Sequence, residues 1–564
     1  MPNFISQTDF ALKKKKKRWT PKGRQGDLKS LKEIKELIGE KTYSRYLLIE
    51  YLHIIQDKYG LLKDRHLVAL SELINLPLTE VYEVSTFYAH FNVIKDSSVE
   101  SIETTIRVCE SLTCEMFKSN EILNKLSLIN NKSIRVVPGP CMGRCHNAPV
   151  VSVGKNYIDN ASVEKVLKLV EQKKYKPVVP EYISFKNYRS QNGYEIYAKL
   201  INKKISIEEI KNIVEKSGLK GKGGAGFPTS KKWEFVLANQ GPRYLTINAD
   251  EGEVGTFKDR YYLELDPHRF LEGVLISAKI IDAKKAFIYL RDEYPAAMEI
   301  LKKEIQNLVN NNIVKKDYII IRRGAGAYIC GEESAMLESI EGKRGYPRHK
   351  PPFPVQEGLF GRPTLCNNVE TLFWIRDILE KGAEWFSKFG KNGGCGFRLY
   401  SVSGRVKNPG VIKAPAGITV KELIDDYCGG MQKNHIFKSY LPGGASGGIL
   451  PASLGNIPLD FGKELDKQGC FVGSGAIVIF SQKDSMRDVA LNLLEFFEDE
   501  SCGQCTPCRV GTEKAVKLLK NKKWDKKLLN DLNKVMTDAS ICGLGQAASN
   551  PVNCVLKFFQ NDIN

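Results

Sequence analysis

The chain has 564 residues, of which 42% are hydrophobic and 26% are charged, as is ordinary for a globular protein of several domains. Its net charge of +19 is compatible with nucleic acid, a membrane surface or an acidic partner, but lysine is spread along the whole chain, so we interpret the charge as a solvated surface. No apolar run approaches the roughly 20 residues that cross a bilayer, and the N-terminus lacks the order of a signal peptide. We therefore expect a cytoplasmic protein that does not insert directly into a membrane.

The sequence contains 14 cysteines, and in a reducing compartment that number argues against a disulfide framework. Six of them are scattered and are interpreted as small buried residues. The other eight fall into two groups and are candidate metal ligands: Cys109, Cys114, Cys141 and Cys145, then Cys502, Cys505, Cys508 and Cys542.

The first 100 residues divide into a basic segment and a helical one. Residues 1–30 are basic and poor in apolar side chains, which predicts a flexible N-terminus. The lysine and arginine run at residues 13–18 could also form an arm that docks on an acidic neighbour. Over residues 31–100 apolar positions recur at helical spacing, and Pro77 with Thr79 marks a new helix start. This pattern predicts a small helical bundle.

Residues 101–175 alternate short β-branched runs with helical stretches, which predicts a small thioredoxin-like α/β domain. The first cysteine group has the spacing C-x4-C followed by C-x3-C, and both pairs fall at predicted strand ends. Four unrelated buried cysteines would not share that placement. Zinc sites more often show C-x2-C knuckles, so the wider spacing favours a [2Fe–2S] cluster, with zinc as the alternative.

Residues 176–204 are polar, include two prolines and lack a period, which predicts a linker. The next unit, residues 205–394, contains the glycine-rich stretch GLKGKGGAGFPTSKKW at residues 218–233. This stretch matches neither the dinucleotide fingerprint nor a P-loop, and alone it could be a flexible loop. Its glycines nevertheless allow a backbone to press against phosphate and a flat ring. Two acidic segments follow it, NADEGEVGTFKDR and GAYICGEESAMLESIEG.

The last part of the chain contains short strands and turns over residues 395–480 and helices over residues 481–564. The second cysteine group begins with CxxCxxC at the start of a predicted helix, and Cys542 returns from the last helical hairpin. Three thiolates at this spacing with one distant thiolate match the ligands of a [4Fe–4S] cluster, and zinc is the alternative.

These motifs, in this order, resemble the flavin- and NADH-binding subunit of respiratory complex I and its relatives, and the N-terminal cysteine unit resembles the small [2Fe–2S] subunit that accompanies it. The resemblance covers nearly the whole chain and implies a fusion of the two subunits. It implies a multidomain α/β protein: a helical bundle and a thioredoxin-like [2Fe–2S] domain, a Rossmann-like FMN and NADH domain, a β-grasp (SLBB-like) module, and a C-terminal helical bundle with a [4Fe–4S] cluster. We interpret the β-grasp module as a structural spacer.

The resemblance also assigns site residues, none of them as a catalytic acid or base. It implies that FMN is held by Gly221, Lys222, Gly223, Lys232, Asn248, Asp250, Glu251, Tyr328, Gly331, Glu332, Asn367, Asn368 and Thr371. It implies that NADH stacks on the flavin and uses Gly224, Ala225, Phe227, Phe235, Glu253, Glu333, Lys350 and Phe353. Lys222 is a departure, because arginine is common there and lysine cannot make a bidentate contact.

The implied activity is hydride exchange between NAD(H) and FMN followed by single-electron transfer through the two clusters. The terminal reaction would then take place on a partner subunit. In detail, residues 348–386, 508–519 and 538–551 are similar to the β subunit of NAD-dependent, molybdenum- or tungsten-containing formate dehydrogenases. This similarity implies a catalytic α subunit with a molybdopterin or tungstopterin and further iron–sulfur clusters. Complex I and the diaphorase subunit of an NAD-reducing hydrogenase are the alternatives. A zinc-bearing nucleic-acid-binding protein would explain the charge and the cysteines but not the acidic segments.

Overall fold

The structure is a computed structural model that describes residues 23–39, 43–97, 102–129, 131 and 133–563. The basic run at residues 13–18 and most of the predicted flexible N-terminus lie outside these ranges. Within them, no helix is both long enough and apolar enough to span a membrane.

In its described residues, the N-terminal bundle has four α-helices and a two-stranded parallel sheet, and the helices agree with the predicted helical spacing. The first helix begins at Leu28, inside the last residues of the predicted flexible segment, because the Asp27 side chain caps it by accepting a hydrogen bond from the Ser30 amide at 2.8 Å. The elements are α1 (Leu28–Ile38), α2 (Leu48–Tyr59), β1 (Leu62–Lys63), α3 (Asp64–Leu73), α4 (Leu78–Phe87) and β2 (Val93–Ile94).

The thioredoxin-like domain has a four-stranded sheet in the order β4-β3-β5-β6. Strand β3 pairs parallel with β4 and antiparallel with β5. The sequence predicts one helix after β3, whereas the structure has two, because Lys118 between them adopts a left-handed φ of 68°. The elements are β3 (Thr104–Cys109), α5 (Leu112–Met116), α6 (Ser119–Ser127), β4 (Ile134–Gly139), β5 (Val151–Val153), β6 (Asn156–Ile158) and α7 (Val163–Glu171).

The predicted linker is not a free linker over its second half, where it forms helices α8 (Phe185–Arg189) and α9 (Glu195–Ile201). Tyr188 and Tyr194 are each 1% exposed, and both bind the buried carboxylate of Glu272: the Tyr188 hydroxyl donates at 2.5 Å and the Tyr194 amide at 2.8 Å. Residues from about 183 onward therefore pack as part of the next domain.

The central domain is built on a parallel four-stranded sheet in the order β10-β7-β8-β9, which is the Rossmann-like arrangement that the resemblance implies. Helices cover the sheet, and Trp233 and Trp374 lie in the core between them. The elements are α10 (Ile207–Lys216), α11 (Thr229–Leu237), β7 (Arg243–Ala249), α12 (Lys258–Leu265), α13 (Pro267–Ile280), β8 (Ala283–Leu290), α14 (Pro295–Asn310), β9 (Ile319–Arg323), α15 (Glu333–Ile340), β10 (Thr364–Asn368), α16 (Val369–Lys381) and α17 (Ala383–Ser387).

The β-grasp domain contains a mixed five-stranded sheet in the order β12-β11-β15-β13-β14. Its elements are β11 (Phe397–Gly404), β12 (Gly410–Pro415), α18 (Val420–Glu422), β13 (Phe437–Leu441), β14 (Leu450–Pro451), α19 (Lys463–Asp466) and β15 (Ala476–Ser481). The C-terminal domain is helical, as predicted, with α20 (Met486–Asp499), α21 (Thr506–Leu519), α22 (Lys526–Ala539), α23 (Gly543–Ala547) and α24 (Asn550–Phe558).

Candidate functional site

The predicted flavin residues gather at the carboxyl edge of the central parallel sheet. Asn248, the penultimate residue of strand β7, pairs with Asn368 at the end of β10, and Asn367 is the preceding residue of β10. The turn at Tyr328–Gly331 follows β9, and the Asn248 side-chain amide donates to the Gly331 carbonyl at 2.7 Å. Ligands of doubly wound sheets bind at this edge, so the fold brings these residues to a suitable place.

The glycine loop, residues 218–226, closes onto the start of α16. The Gly221 amide donates to the Phe227 carbonyl at 2.8 Å, and the Lys222 amide donates to the Thr371 hydroxyl at 2.9 Å. A Cβ at Gly223 would lie 3.1 Å from Asn368 Cβ, so the loop passes close to that strand end. Gly221, Lys222, Gly223, Asn368 and Thr371 are therefore neighbours, as the resemblance implies.

Lys222 is buried beneath the loop, and burial together with the charge of Arg398 lowers its pKa to about 8. Arg398 comes from strand β11 of the β-grasp domain and was not predicted as a site residue. Its guanidinium lies 4.4 Å from the centre of the Phe461 ring, and its Nε and Nη2 atoms lack a hydrogen-bond partner within the described part of the chain. Two buried cations of this kind suit an anionic group such as a phosphate.

Two buried acceptors at the sheet edge test whether the residues fit FMN. Asp250 Oδ2 and Asn367 Oδ1 are buried, and neither has a hydrogen-bond partner among the described residues. An unpaired buried acceptor costs about 1–3 kcal/mol, so a ligand that donates hydrogen bonds here would remove that cost. With the open glycine backbone and the buried cations, the residues present fit the ring and the phosphate of FMN.

The acidic loop, residues 248–253, is held by one of its own predicted site residues. The Glu251 carboxylate accepts hydrogen bonds from the amides of Asp259 (2.9 Å) and Arg260 (3.1 Å) and from the Tyr294 hydroxyl (2.9 Å). Burial, and then the charge of Asp259, raises its pKa to about 7. Because the side chain is already bonded within the protein, any contact of Glu251 with a flavin falls to its backbone.

The predicted NADH residues form the rim of the same edge. Phe227, Phe235 and Phe353 are 44%, 51% and 50% exposed, and the first two rings lie 5.9 Å apart between centroids. Solvent-exposed rings of this kind are available to stack on a planar ligand. Ala225 in the glycine loop is exposed as well, and Gly224 has a positive φ of 136°.

Four charged side chains complete the rim. Lys350 Nζ lies 2.8 Å from Glu332 Oε1 and 3.1 Å from Glu333 Oε1, and Lys232 Nζ lies 3.3 Å from Glu333 Oε2. Burial raises the pKa of Glu333, but the charges of Lys232 and Lys350 outweigh it and lower the pKa below its usual value. The Glu332 carboxylate also caps α15 through the amide of the second residue of that helix. These residues therefore form a balanced ionic cluster.

The first cysteine group lies at one end of the thioredoxin-like sheet. Cys109 ends β3, Cys114 lies in α5, and all four cysteines of the group are at most 4% exposed. The sulfur atoms of Cys141 and Cys145 are 3.3 Å apart. The hydrogen bond from the Cys145 thiol outweighs the opposing effect of burial and, with help from the charge of Arg291, lowers the pKa of Cys141 to about 6. A thiol with a low pKa is ready to bind a metal as thiolate.

The loop of this cysteine group is docked on the central domain. The Arg291 guanidinium donates to the Cys141 carbonyl at 2.8 Å and to the Glu251 carbonyl at 2.6 Å. The Arg260 side chain donates to the Gly143 carbonyl at 2.8 Å. The Arg291 side chain therefore joins the cysteine loop to the acidic loop, and the Arg260 side chain holds the cysteine loop on helix α12. Neither arginine was predicted as a site residue.

The second cysteine group lines one pocket: Cys502, Cys505, Cys508 and Cys542 face it together with Ile329 and Pro347 of the central domain. Burial raises the pKa of Cys508 to about 12 and that of Cys542 to about 11, so these thiols ionise only when a positive group binds there. No three His, Cys, Asp or Glu side chains of the described ranges converge on a single point as for one metal ion. The four sulfur donors that line the pocket, with the spacing CxxCxxC and one distant cysteine, fit the ligand set of an iron–sulfur cluster.

Four family models match the chain in succession. They are a thioredoxin-like [2Fe–2S] ferredoxin over residues 34–174, the Nuo51 FMN-binding domain over residues 214–377, an SLBB domain over residues 399–450, and the iron–sulfur binding region of NADH-ubiquinone oxidoreductase F over residues 488–564. These matches confirm the multidomain fold and assign iron–sulfur clusters, rather than zinc, to both cysteine-containing domains.

The chain is also similar to whole proteins. It is 42% identical over 400 residues to the F subunit of the NADH-quinone oxidoreductase of Aquifex aeolicus, covering 68% of this chain and 91% of the relative. It is 39% identical over 394 residues to the NADP-reducing hydrogenase subunit HndC of Solidesulfovibrio fructosivorans, covering 67% and 80%. A solved structure of an NAD+-reducing [NiFe]-hydrogenase in the air-oxidised state superposes with a TM-score of 0.81 at 28% identity and covers 93% of this chain and 94% of that chain.

The match to the Aquifex aeolicus protein spans nearly all of that relative, and the flavin-binding and iron–sulfur family models match in the order that the sequence motifs predict. The prediction of FMN, NAD(H), one [2Fe–2S] cluster and one [4Fe–4S] cluster is thereby confirmed. The chain belongs to the family of the NADH-quinone oxidoreductase F subunits and is an NAD(H)-dependent flavin and iron–sulfur oxidoreductase subunit.

Proposed function

We propose that this chain is the diaphorase subunit of a multi-subunit enzyme and exchanges electrons between NAD(H) and a catalytic partner subunit. One observation carries the proposal: the predicted flavin residues lie between the two cysteine groups. The acidic loop is joined to the Cys141 loop through Arg291, and the turn at Tyr328–Gly331 contributes Ile329 to the pocket of the second group. A flavin bound at the sheet edge would thus lie on a segment that contacts each cysteine group.

The residues of the sheet edge act by binding and orienting. The glycine loop would admit the flavin ring, Lys222 and Arg398 would offset the charge of its phosphate, and Asp250 and Asn367 would accept hydrogen bonds from the ring. The exposed phenylalanines at the rim would stack on the nucleotide. Bound FMN would supply the chemistry that links a two-electron hydride donor to one-electron acceptors. None of the side chains needs to act as a proton donor.

The cysteines would act as thiolate ligands. Cys109, Cys114, Cys141 and Cys145 would hold the [2Fe–2S] cluster, because they are buried together at one sheet end. The four cysteines that line the pocket of the second group would hold the [4Fe–4S] cluster.

Different observations support different partners. The hydrogenase chain covers this chain along nearly its full length, and a second relative is also a hydrogenase subunit, which supports a partner that oxidises hydrogen. The similarity of residues 348–386, 508–519 and 538–551 to formate dehydrogenase β subunits supports a partner with molybdopterin or tungstopterin that oxidises formate. The match to the NADH-quinone oxidoreductase of Aquifex aeolicus would also suit a complex I module.

The test is to purify the native complex and determine its metals and its donor. Nickel with hydrogen-dependent NAD+ reduction would identify a hydrogenase, and molybdenum or tungsten with formate-dependent reduction would identify a formate dehydrogenase. The isolated chain should oxidise NADH with ferricyanide and should show neither terminal activity. A colourless isolated chain that contains zinc and no flavin would overturn the proposal, and so would formate or hydrogen turnover by the chain alone.

A further inference from the structure

A loop of the β-grasp domain, residues 444–447, reaches into the predicted nucleotide site and binds Glu253 of the acidic loop. The Glu253 Oε1 atom accepts two hydrogen bonds from Ser446, one from its amide at 2.8 Å and one from its hydroxyl at 2.6 Å. The other carboxylate oxygen accepts a hydrogen bond from the Tyr328 hydroxyl. Three donors from two domains therefore fix the orientation of this one carboxylate.

The loop fits against Glu253 only because it begins with glycine. Gly444 has a φ of +83°, and a Cβ at that position would lie 2.6 Å from Glu253 Cγ and 2.8 Å from its Oε1 atom. Real Cβ atoms do not approach other atoms so closely, so a larger residue at position 444 would displace the carboxylate. The close contact indicates that the loop is shaped around Glu253.

The loop is anchored from behind by the C-terminal domain. The Asn550 side-chain amide, at the start of helix α24, donates to the Ser446 carbonyl at 2.9 Å. Ser446 is thus held on one side by the helical domain that contains the second cysteine group, and it holds Glu253 on the other side. A short chain of hydrogen bonds, from Asn550 through Ser446 to Glu253, thus connects the C-terminal domain to the acidic loop of the central domain.

These bonds act against the effect of burial on the charge of Glu253. Burial raises the pKa of this carboxyl group, and the hydrogen bonds from Ser446 and Tyr328 lower it in part. Each donor therefore helps to keep Glu253 ionised near neutral pH, besides holding it in one orientation.

We propose that Ser446 is a positioning residue for NAD(H): it holds the Glu253 carboxylate in one orientation, and the β-grasp domain is by this contact a part of the nucleotide site. The proposal rests on the proposed role of Glu253 in binding NAD(H). It replaces the interpretation of the β-grasp domain as a structural spacer, because the domain supplies two of the three hydrogen bonds to Glu253.

The test compares Ser446→Ala with Ser446→Thr, which keeps the hydroxyl, and with Ser453→Ala, a serine that is exposed in the same domain. NADH oxidation with ferricyanide gives KM and kcat, and calorimetry gives the equilibrium Kd for NAD+. Loss of one hydrogen bond to a charged group should raise KM and Kd about tenfold in Ser446→Ala, with kcat changed by less than about twofold. Ser446→Thr should retain most of the affinity, and Ser453→Ala all of it.

The pH profile separates positioning from a merely structural effect. In the unmodified protein the Ser446 hydroxyl lowers the pKa of Glu253, so its removal in Ser446→Ala should raise that pKa. The acid limb of kcat/KM should therefore move to higher pH in Ser446→Ala and stay in place in Ser453→Ala. Flavin content, cluster spectra and the urea midpoint check that each variant is folded. The proposal is overturned if Ser446→Ala matches Ser453→Ala in KM, Kd and pH profile.

A fourth variant distinguishes this proposal from the one on which it rests. Glu253→Gln should raise KM and Kd, and adding Ser446→Ala to it should have little further effect, because the two changes remove the same interaction. If Glu253→Gln weakens NAD(H) but Ser446→Ala does not, only the role of Ser446 is wrong. If Glu253→Gln binds NAD(H) like the unmodified protein, the assignment of Glu253 itself fails. Additive effects in the double variant would also contradict a shared role.

Discussion

Replacement of Arg291 by methionine tests how the thioredoxin-like domain is held on the central domain. Arg291 is 4% exposed and donates to the carbonyls of Cys141 and Glu251, while its Nη2 atom lies 3.0 Å from Glu293 Oε1. Methionine has a similar volume but no donor. The change therefore leaves two buried carbonyls without this donor and one buried carboxylate without its nearest cation.

The magnitude follows from these three losses. Removing one partner of a buried ion pair costs about 3–5 kcal/mol, and each carbonyl that loses its donor costs about 1–3 kcal/mol. The three losses share one side chain and are not additive, and Glu293 can take up a proton to relieve part of the cost. We therefore expect Arg291→Met to lower the free energy of unfolding by about 3–5 kcal/mol. Arg291→Lys keeps the charge but not the fork of donors and should cost about half as much.

Urea unfolding of the cluster-loaded protein, followed by tryptophan fluorescence, measures this loss. Arg189→Met is a matched control, because the Arg189 side chain is 41% exposed, lies 3.8 Å from Glu195, and should contribute about 1 kcal/mol or less. A redox titration of the [2Fe–2S] signal should show a lower potential in Arg291→Met, since a positive charge near Cys141 is lost. Equal urea midpoints for Arg291→Met and Arg189→Met, with an unchanged potential, would refute the role given to Arg291.

Three further changes test other parts of the site. Cys542→Ser should remove the [4Fe–4S] signal and its share of the iron, whereas Cys428→Ser, a buried cysteine outside both groups, should keep both clusters. Gly226→Ala places a Cβ 2.8 Å from the Phe461 ring, so it should lower the flavin content and reduce the free energy of unfolding by about 1–3 kcal/mol. Gly393→Ala is the control: Gly393 also has a positive φ, but a Cβ there would have no atom within 4 Å, so the flavin content should not change. Burial raises the pKa of Glu500 from 4.5 to about 7, so the folded protein loses stability as the pH rises through that range. Glu500→Gln removes this ionisation and should therefore raise the free energy of unfolding at pH 8, by at most about 3 kcal/mol, but not at pH 4. A stability gain for that variant at pH 4 would contradict the assignment.

Periodicity and cysteine spacing predict most of this fold because they are local signals. Helix α1 follows from apolar positions within 11 residues, and strand β3, which ends at Cys109, follows from a β-branched run. The predicted linker is wrong over α8 and α9 because helices of five and seven residues are too short for a period to show. Their burial depends on Glu272, which lies more than 75 residues away along the chain.

The site shows the same division between local and distant information. Glycine and acidic motifs mark the glycine loop and the acidic loop, but they do not show that the Glu251 carboxylate binds the first turn of helix α12. Arg291, Arg398 and Ser446 stand outside any motif. Arg291 and Ser446 matter through hydrogen bonds to another domain, and Arg398 through the effect of its charge on Lys222 of the central domain. Such contacts depend on how complete domains pack together, which no short segment of sequence specifies.

The helices of the former linker also determine how the [2Fe–2S] unit behaves when its docking contacts weaken. A covalent connection that is itself packed, through Tyr188 and Tyr194, keeps the unit at a high effective concentration beside the flavin domain. Rebinding is then an intramolecular event that does not depend on how dilute the protein is. If the two units were separate chains, the same arginine contacts would have to resist dissociation, and dilution would favour loss of the [2Fe–2S] unit.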